Sequence, residues 1–142
     1  MANTSEPAHA SYTLSQWVDK FFDDTFFQTN DEAAVNTMNE DLAQGFTATV
    51  NHDQFSRQDF IEATKKFRSV NITTVQSIKE IQAWDAPDGS GGGCVAKLVF
   101  VKDTNKETGA STESSTLMVS NVQVVGGKRM LFSLTEVFKQ GV

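Results

Sequence analysis

The second half of the chain reads as strand throughout, and this constrains the fold more than any other feature of the sequence. Four strands are predicted, over residues 72–84, 94–101, 115–125 and 128–138. The last two are joined by Gly126-Gly127, a strong signal for a two-residue β-hairpin. Three of the last four connections are too short for a crossover helix, so the pattern excludes a parallel α/β fold.

The first part of the chain carries two helical patterns. Thr13 and Gln16 form a capping box in front of apolar residues at helical spacing. A second capping box, Thr29 with Glu32, opens a stretch that ends before Gly45. The sequence therefore predicts a hairpin of two consecutive helices.

A short strand and a third helix follow. Alternation predicts a strand over residues 46–50, and residues 51–53 have the composition of a turn. Ser56 is a natural N-cap for a helix over residues 57–68. The alternation of residues 72–84 slips near Ser77, which indicates a β-bulge.

These elements predict one α+β domain over residues 13–142, preceded by a disordered N-terminal arm over residues 1–12. The N-terminal helices pack on a strongly curved antiparallel or mixed sheet, giving a cone-shaped α+β barrel. The strand over residues 94–101 is apolar on both faces. We therefore expect its outer face to be covered by a second copy of the chain in a homodimer.

Charge and cysteine content exclude several classes of partner. The formal net charge is −6 and no basic stripe compensates it, so we expect neither nucleic acid nor an anionic membrane surface as a partner. The single cysteine, Cys94, forms no intramolecular disulfide. This favours a reducing compartment, and without an apolar run of membrane-spanning length we expect a cytoplasmic protein.

The order of elements, with residues 47–52 after the hairpin and Gly126-Gly127-Lys128 before the last strand, resembles the nuclear transport factor 2-like superfamily. The resemblance covers residues 13–138. The superfamily includes ketosteroid isomerase, scytalone dehydratase, SnoaL-like polyketide cyclases, epoxide hydrolases and non-catalytic binding domains. The resemblance therefore constrains fold more than function. The resemblance implies an apolar pocket inside a curled sheet and a dimer through the outer sheet face.

His52 is the first candidate catalytic residue, because it closes the first strand where the mouth of such a cone is expected. An imidazole transfers protons near neutral pH. The resemblance places His52 where ketosteroid isomerases have their general-base aspartate. The alternative interpretation is a solvated histidine in a turn.

Glu136 is the second candidate, since it interrupts a face made of Met130, Phe132, Leu134 and Phe138. If this carboxyl is buried, its pKa rises and suits acid or base chemistry. Alternatively, the end of the strand reaches solvent, or Glu136 pairs with a cation across the sheet.

Four further residues are expected to contact a ligand: Trp17, Phe21, Ser120 and Phe132. The resemblance places Trp17 where isomerases have an oxyanion-stabilising tyrosine and Ser120 where they have a protonated aspartate. A tryptophan in the core is the alternative for Trp17. The sequence has no metal-ligand spacing or phosphate-binding loop, so we expect no cofactor.

Two functions remain open from the sequence. The first is a cofactor-independent isomerase, cyclase or dehydratase of the SnoaL-like type, acting on a small apolar carbonyl compound. The second is a non-catalytic domain that binds an apolar ligand or serves dimeric interactions.

Overall fold

The computed structural model describes residues 12–141. It contains three α-helices, a π-helical turn and six strands. The helical elements are α1 (Leu14–Phe22), the π-helical turn (Asp23–Phe27), α2 (Asp31–Asp41) and α3 (Arg57–Val70). The strands are β1 (Leu42–Val50), β2 (Asp53–Ser56), β3 (Asn71–Asp85), β4 (Gly93–Asn105), β5 (Ser111–Val125) and β6 (Lys128–Gln140). The arm expected over residues 1–12 lies outside the described residues except for Tyr12.

The capping box at the start of α1 is confirmed. The Thr13 hydroxyl accepts a hydrogen bond from the Gln16 backbone N–H at 3.1 Å, and the Gln16 side chain accepts one from the Thr13 N–H at 2.9 Å. After Phe22 the helix widens into the π-helical turn, a change that periodicity alone does not signal. This turn presents Phe26 and Phe27 to the interior of the molecule.

The capping box expected from Thr29 and Glu32 is wrong. The N-cap of α2 is Asn30, whose side chain accepts a hydrogen bond from the Ala33 N–H at 3.0 Å. Asparagine caps helices as well as threonine does, and here it takes the position one residue later. The helix ends at Asp41, and β1 begins at Leu42, four residues before the predicted strand.

The six strands form one mixed sheet in the order β2-β1-β6-β5-β4-β3. All neighbouring pairs are antiparallel except β1 and β6, which are parallel. The sheet is open, since β2 and β3 form its edges. This arrangement of helices packed on a mixed sheet confirms the predicted α+β class.

Bulges interrupt the pairing of β3 with β4 and of β5 with β6. The register of β3 against β4 shifts between Val75 and Ser77, as predicted, and again between Glu80 and Gln82. The register of β5 against β6 shifts beside Phe132, whose neighbours Leu131 and Ser133 pair with consecutive residues of β5. Because a bulge increases local twist and bend, these irregularities give the sheet its curvature.

The concave face of the sheet is filled at one end. The side chains of α1, including Leu14, Val18 and Phe21, pack there with Val95 of β4 and Val122 of β5, all of them buried. Along β4 the residues facing this core alternate with residues on the outer face, which stay partly exposed. In a single chain, therefore, only the inner face of residues 94–101 is fully covered.

Candidate functional site

The other end of the concave face holds a cavity of about 280 Å³. The π-helical turn and α3 cover it, and every strand of the sheet contributes at least one side chain to its lining. Its most frequent residue is phenylalanine: Phe26, Phe27, Phe55, Phe60, Phe67 and Phe138. The aromatic rings make this an apolar cavity of the size that suits a compact small molecule.

The cavity reaches solvent beside Phe67 and Phe138, which are 41% and 37% exposed. Phe67 of α3 lies at the cavity entrance, and the next residue, Arg68, is buried. The floor consists of aliphatic side chains from the sheet, among them Val99 and Met118. A ligand that enters past the two exposed rings therefore meets an apolar wall.

Two carboxyl groups interrupt the apolar lining. Glu136 lies on β6 and Asp103 on β4, and the other polar side chains lining the cavity are the threonines Thr64, Thr73 and Thr116. In the part of the chain that the structure describes, no lysine, arginine or histidine lines this cavity. The polar chemistry of the cavity is therefore that of two acids and three hydroxyls.

Glu136 is held by one neighbour on the sheet. The Thr116 hydroxyl donates a hydrogen bond of 2.9 Å to Glu136 Oε1. Burial raises the pKa of the Glu136 carboxyl above its ordinary value, and the hydrogen bond from Thr116 opposes this only in part. A carboxyl with a raised pKa is suited to exchange a proton with a bound molecule near neutral pH.

Asp103 is likewise held by a threonine on the neighbouring strand. The Thr73 hydroxyl on the neighbouring strand donates a hydrogen bond of 2.5 Å to Asp103 Oδ1. Burial also raises the pKa of Asp103, against the opposing effect of Thr73. Each carboxyl thus has one threonine partner, and residues 12–141 supply neither with a cation.

Asn51 fixes the backbone that carries Glu136. Its φ of 55° lies in the left-handed region, which asparagine tolerates better than most residues. Its side-chain amide donates to the Phe138 carbonyl oxygen at 3.0 Å and accepts from the Phe138 N–H at 2.8 Å. Its backbone N–H donates to the Glu136 carbonyl oxygen at 3.0 Å. These bonds tie the end of β1 to the segment of β6 that lines the cavity.

Comparison with known proteins finds similarity in structure. A scan of the sequence against protein-family models finds no match, and a comparison with curated proteins finds none either. ActVI-ORFA from Streptomyces coelicolor superposes with a TM-score of 0.64 over 88% of this chain and 96% of that chain, at 11% identity. An NTF2-like protein of unknown function from Exiguobacterium sp. 255-15 gives 0.62 over 86% and 97%, also at 11% identity.

A hexachlorocyclohexane dehydrochlorinase (LinA) type 2 superposes with a TM-score of 0.61 over 96% of this chain and 90% of that chain, at 7% identity. The chain has the nuclear transport factor 2-like fold. The expectation drawn from the order of elements is thereby confirmed at the level of fold, and identities this low carry no further conclusion about activity.

Within the nuclear transport factor 2-like fold, His52 lies outside the cavity. It is an exposed residue of the turn between β1 and β2, and it does not contribute to the cavity lining. Its neighbour Val50 is the last residue of β1 to reach the cavity. Because a general base must reach its proton directly or through one water, this position does not support the expected role of His52.

Trp17, Phe21 and Ser120 lie in the filled half of the sheet and do not line the cavity. Trp17 stacks on Phe21 with ring centroids 6.0 Å apart. Ser120 is fully buried, and its hydroxyl has no hydrogen-bond partner within residues 12–141. Phe132 also lies outside the lining, because the bulge at this residue turns Leu131 into the core instead. Only Glu136 among the six predicted site residues reaches the cavity.

Lys97 is a buried residue that sequence analysis did not single out. Its ammonium group lies 3.0 Å from Asp19 and 3.4 Å from Glu80, and it donates a 2.6 Å hydrogen bond to Ser15 Oγ. The Ser15 hydroxyl in turn donates to Glu80. This closed network joins α1 to the sheet and leaves the ammonium group paired, so we assign it a structural role.

Asp103 is the cavity residue that the sequence could have revealed. Continuing the alternation of the buried positions Val95, Val99 and Val101 by two residues places Asp103 on the same face. The strand predicted from the sequence ends at residue 101, two residues before Asp103. In residues 12–141 no group of three or more His, Cys, Asp or Glu side chains is placed to hold a metal ion, and no helix is long and apolar enough to cross a membrane.

Proposed function

We propose that the protein binds a small apolar molecule in the cavity and that Glu136 exchanges a proton with it. The reaction class is that of a cofactor-independent isomerase or lyase acting on a carbonyl compound. In such a reaction the Glu136 carboxylate accepts a proton from the carbon next to the carbonyl group. The electron pair of that C–H bond forms an enolate, and the Glu136 carboxylic acid returns the proton to the same or another atom.

The observation that carries the proposal is the position of a carboxyl group, that of Glu136, in the lining of an otherwise largely apolar cavity. Glu136 has one hydrogen-bond donor, Thr116, and faces the aromatic lining. An unassisted carboxylate in such surroundings is more basic than in water, which is the property required for removing a proton from carbon. One protein of similar structure is, by its name, a dehydrochlorinase of hexachlorocyclohexane, an apolar compound.

The first test is deuterium incorporation at the α-carbon of small cyclic ketones in D2O, followed by NMR. We expect exchange with the unaltered protein and a loss of about a hundredfold or more in Glu136→Gln, because general base catalysis contributes about 10²–10⁴ in rate. The glutamine keeps the size of the side chain and still accepts a hydrogen bond from Thr116.

His52→Ala is the matched control, since it removes the other candidate base and alters only an exposed turn residue. We expect its exchange rate to equal that of the unaltered protein. Loss of exchange in His52→Ala with full exchange in Glu136→Gln would transfer the role of base to His52 and overturn the proposal.

A second candidate function is ligand binding without catalysis. It is favoured by the position of His52, because among residues 12–141 no imidazole accompanies Glu136 in the cavity lining. In this case ketones bind with unchanged chemical identity and no deuterium is incorporated by any variant.

We further propose that the protein forms a homodimer through the outer face of the sheet. The outer apolar face consists of Trp84, Cys94, Leu98, Phe100, Leu117, Val119 and Val137. Trp84 and Val137 are 56% and 61% exposed in the single chain. Contiguous apolar surface of this kind is typical of a face that packs against a partner.

A further inference from the structure

We infer that the natural ligand of the cavity is a compact organic cation, in which an amine or quaternary ammonium group is attached to the apolar, carbonyl-bearing body. The inference rests on the proposed function for the location of the site and adds the charge of the ligand to it. The geometry that supports it is a cavity in which the described residues supply six aromatic rings and two separate carboxyl groups but no cationic side chain.

The missing cation distinguishes this cavity from the other partly buried ionic sites of the described chain. Lys97 pairs with Asp19 and Glu80, and Arg68 pairs with Asp31 at 2.9 Å. Buried charges are normally paired in this way, because transferring an unpaired charge from water to the protein interior costs roughly several kcal/mol of free energy. The carboxyls of Asp103 and Glu136 face a space that a ligand would fill, so the counter-charge is left for the ligand to supply.

The aromatic lining favours the same ligand. A cation is attracted to the face of an aromatic ring, and cages of such rings are the usual recognition site for alkylated ammonium groups. Phe26 and Phe60 already pack edge to face, with centroids 6.2 Å apart, in the wall of the cavity. The rings contact the apolar body and the alkyl groups of the ammonium, while a carboxylate neutralises its charge.

The volume limits the size of the ligand. Pockets for drug-sized molecules occupy about 300–1,000 Å³, and this cavity, at about 280 Å³, lies at the lower end. A single ring with a short amine-bearing chain fits this space. The charge of the protein, −6 overall, also attracts a cation toward the entrance.

The test compares two ligands of the same shape that differ in one charge. The cation is benzyl(2-hydroxyethyl)dimethylammonium, and its neutral counterpart is 3,3-dimethyl-4-phenylbutan-1-ol, in which carbon replaces nitrogen. Isothermal titration calorimetry at pH 7.5 measures both dissociation constants. We expect the cation to bind about tenfold more tightly or better, which corresponds to about 1.4 kcal/mol.

Variants that remove a negative charge show which carboxyl groups cause the preference for the cation. Asp103→Asn and Glu136→Gln keep the shape of the cavity, and we expect each to weaken binding of the cation and to leave binding of the alcohol unchanged. Asp88→Asn is the matched control, because it removes the same charge from an exposed loop between β3 and β4. We expect it to leave both dissociation constants as they are.

The pH dependence separates a ligand that carries a positive charge from a neutral one. Asp103 and Glu136 are the titratable groups lining the cavity; the π-helical turn, α3 and strands β1, β2, β3 and β5 contribute no titratable side chain among the described lining. A cation prefers the carboxylates, so its affinity rises as pH increases through their pKa values. A neutral carbonyl compound that accepts a hydrogen bond from a carboxylic acid binds less tightly over the same range.

The binding measurements test the cation preference separately from proton exchange by Glu136. Tighter binding of the alcohol than of the cation, or cation affinity that falls with rising pH, overturns the charge preference and leaves the proton-exchange proposal standing. Failure of both ligands to bind overturns this inference, whereas the deuterium-exchange assay tests the proposed function on its own.

Discussion

At the scale of single residues, the burial of Glu136 lowers the stability of the folded protein at neutral pH. A carboxyl that is harder to ionise in the folded protein than in the unfolded chain binds its proton more tightly when folded. The free energy of unfolding therefore decreases as pH rises from the ordinary glutamate pKa, about 4.5, through the raised value. Glu136 thus destabilises the fold under the neutral conditions in which it would act as a base.

Glu136→Gln should be more stable than the unaltered protein at pH 7, by an amount on the order of 1 kcal/mol, since glutamine resembles the protonated acid. The difference should vanish near pH 4, where the carboxyl is protonated in both states. Urea unfolding at the two pH values measures it. Glu113→Gln, an exposed glutamate on β5, serves as the control and should show no such pH-dependent gain; equal stability of Glu136→Gln and the unaltered protein at pH 7 would refute the prediction.

Sequence patterning indicated that Glu136 lies in an apolar row, and Glu136 does line the cavity, whereas the other five predicted site residues do not. Alternation over the end of β6 is regular, so a carboxyl in an apolar row was visible. For Phe132 the alternation is broken by a bulge, which sequence periodicity does not position to a single residue. His52 and Ser120 were selected through the fold resemblance, and the resemblance does not specify which half of the concave face is filled.

At the scale of elements, helix starts were predicted better than strand boundaries. The capping box predicted at Thr13 and the N-cap predicted at Ser56 are both present, because a cap is a local arrangement of a few neighbouring atoms. The start predicted at Thr29 was wrong by one residue, since Asn30 is the N-cap. The early start of β1 at Leu42 depends on pairing with β6, almost ninety residues away in the chain. Such pairing is a tertiary effect that no local pattern records.

The hairpin of β3 and β4 depends on Gly93. A Cβ atom at this position would lie 2.0 Å from the Trp84 carbonyl oxygen and 2.7 Å from Leu14 Cδ2. The first atom belongs to the backbone of a paired strand and the second to a buried side chain, so moving either one disrupts existing structure. The glycine therefore permits β3, β4 and the start of α1 to pack together at the filled end of the concave face.

Gly93→Ala should destabilise the protein by more than about 3 kcal/mol, since it combines a backbone clash with overpacking of the core. Thermal and urea unfolding measure the loss. Gly109→Ala is the matched control: its φ is 76° and a Cβ would contact nothing within 4 Å, so only the cost of a left-handed residue, about 1–2 kcal/mol, is expected. Equal losses in the two variants would show that crowding at Gly93 is unimportant.

At the scale of the whole molecule, the sheet has two faces with different surroundings. The concave face is covered by α1, the π-helical turn and α3, whereas none of the helices within residues 12–141 covers the outer apolar face. The proposed dimer would cover this face and protect Cys94, which lies on it. The sequence predicted the apolar character of this face from the composition of residues 94–101 alone.

Val119→Asp should convert the proposed dimer to a monomer, because it places a charge in the middle of the outer apolar face, where Val119 is 40% exposed. Sedimentation velocity at micromolar concentration measures the oligomeric state. Val125→Asp is the control, since Val125 is 51% exposed but lies at the tip of the β5–β6 hairpin, and it should leave the dimer intact. A monomeric unaltered protein would contradict the proposal.

The uneven filling of the concave face has a consequence for how such a protein can change. Side chains beside the void, such as Phe67 at its entrance, have few neighbours to displace, so replacing them costs little folding energy. The buried side chains packed under α1 contribute most of the folding stability. New ligand preferences are therefore accessible through substitutions at the empty end, while the rest of the scaffold remains as it is.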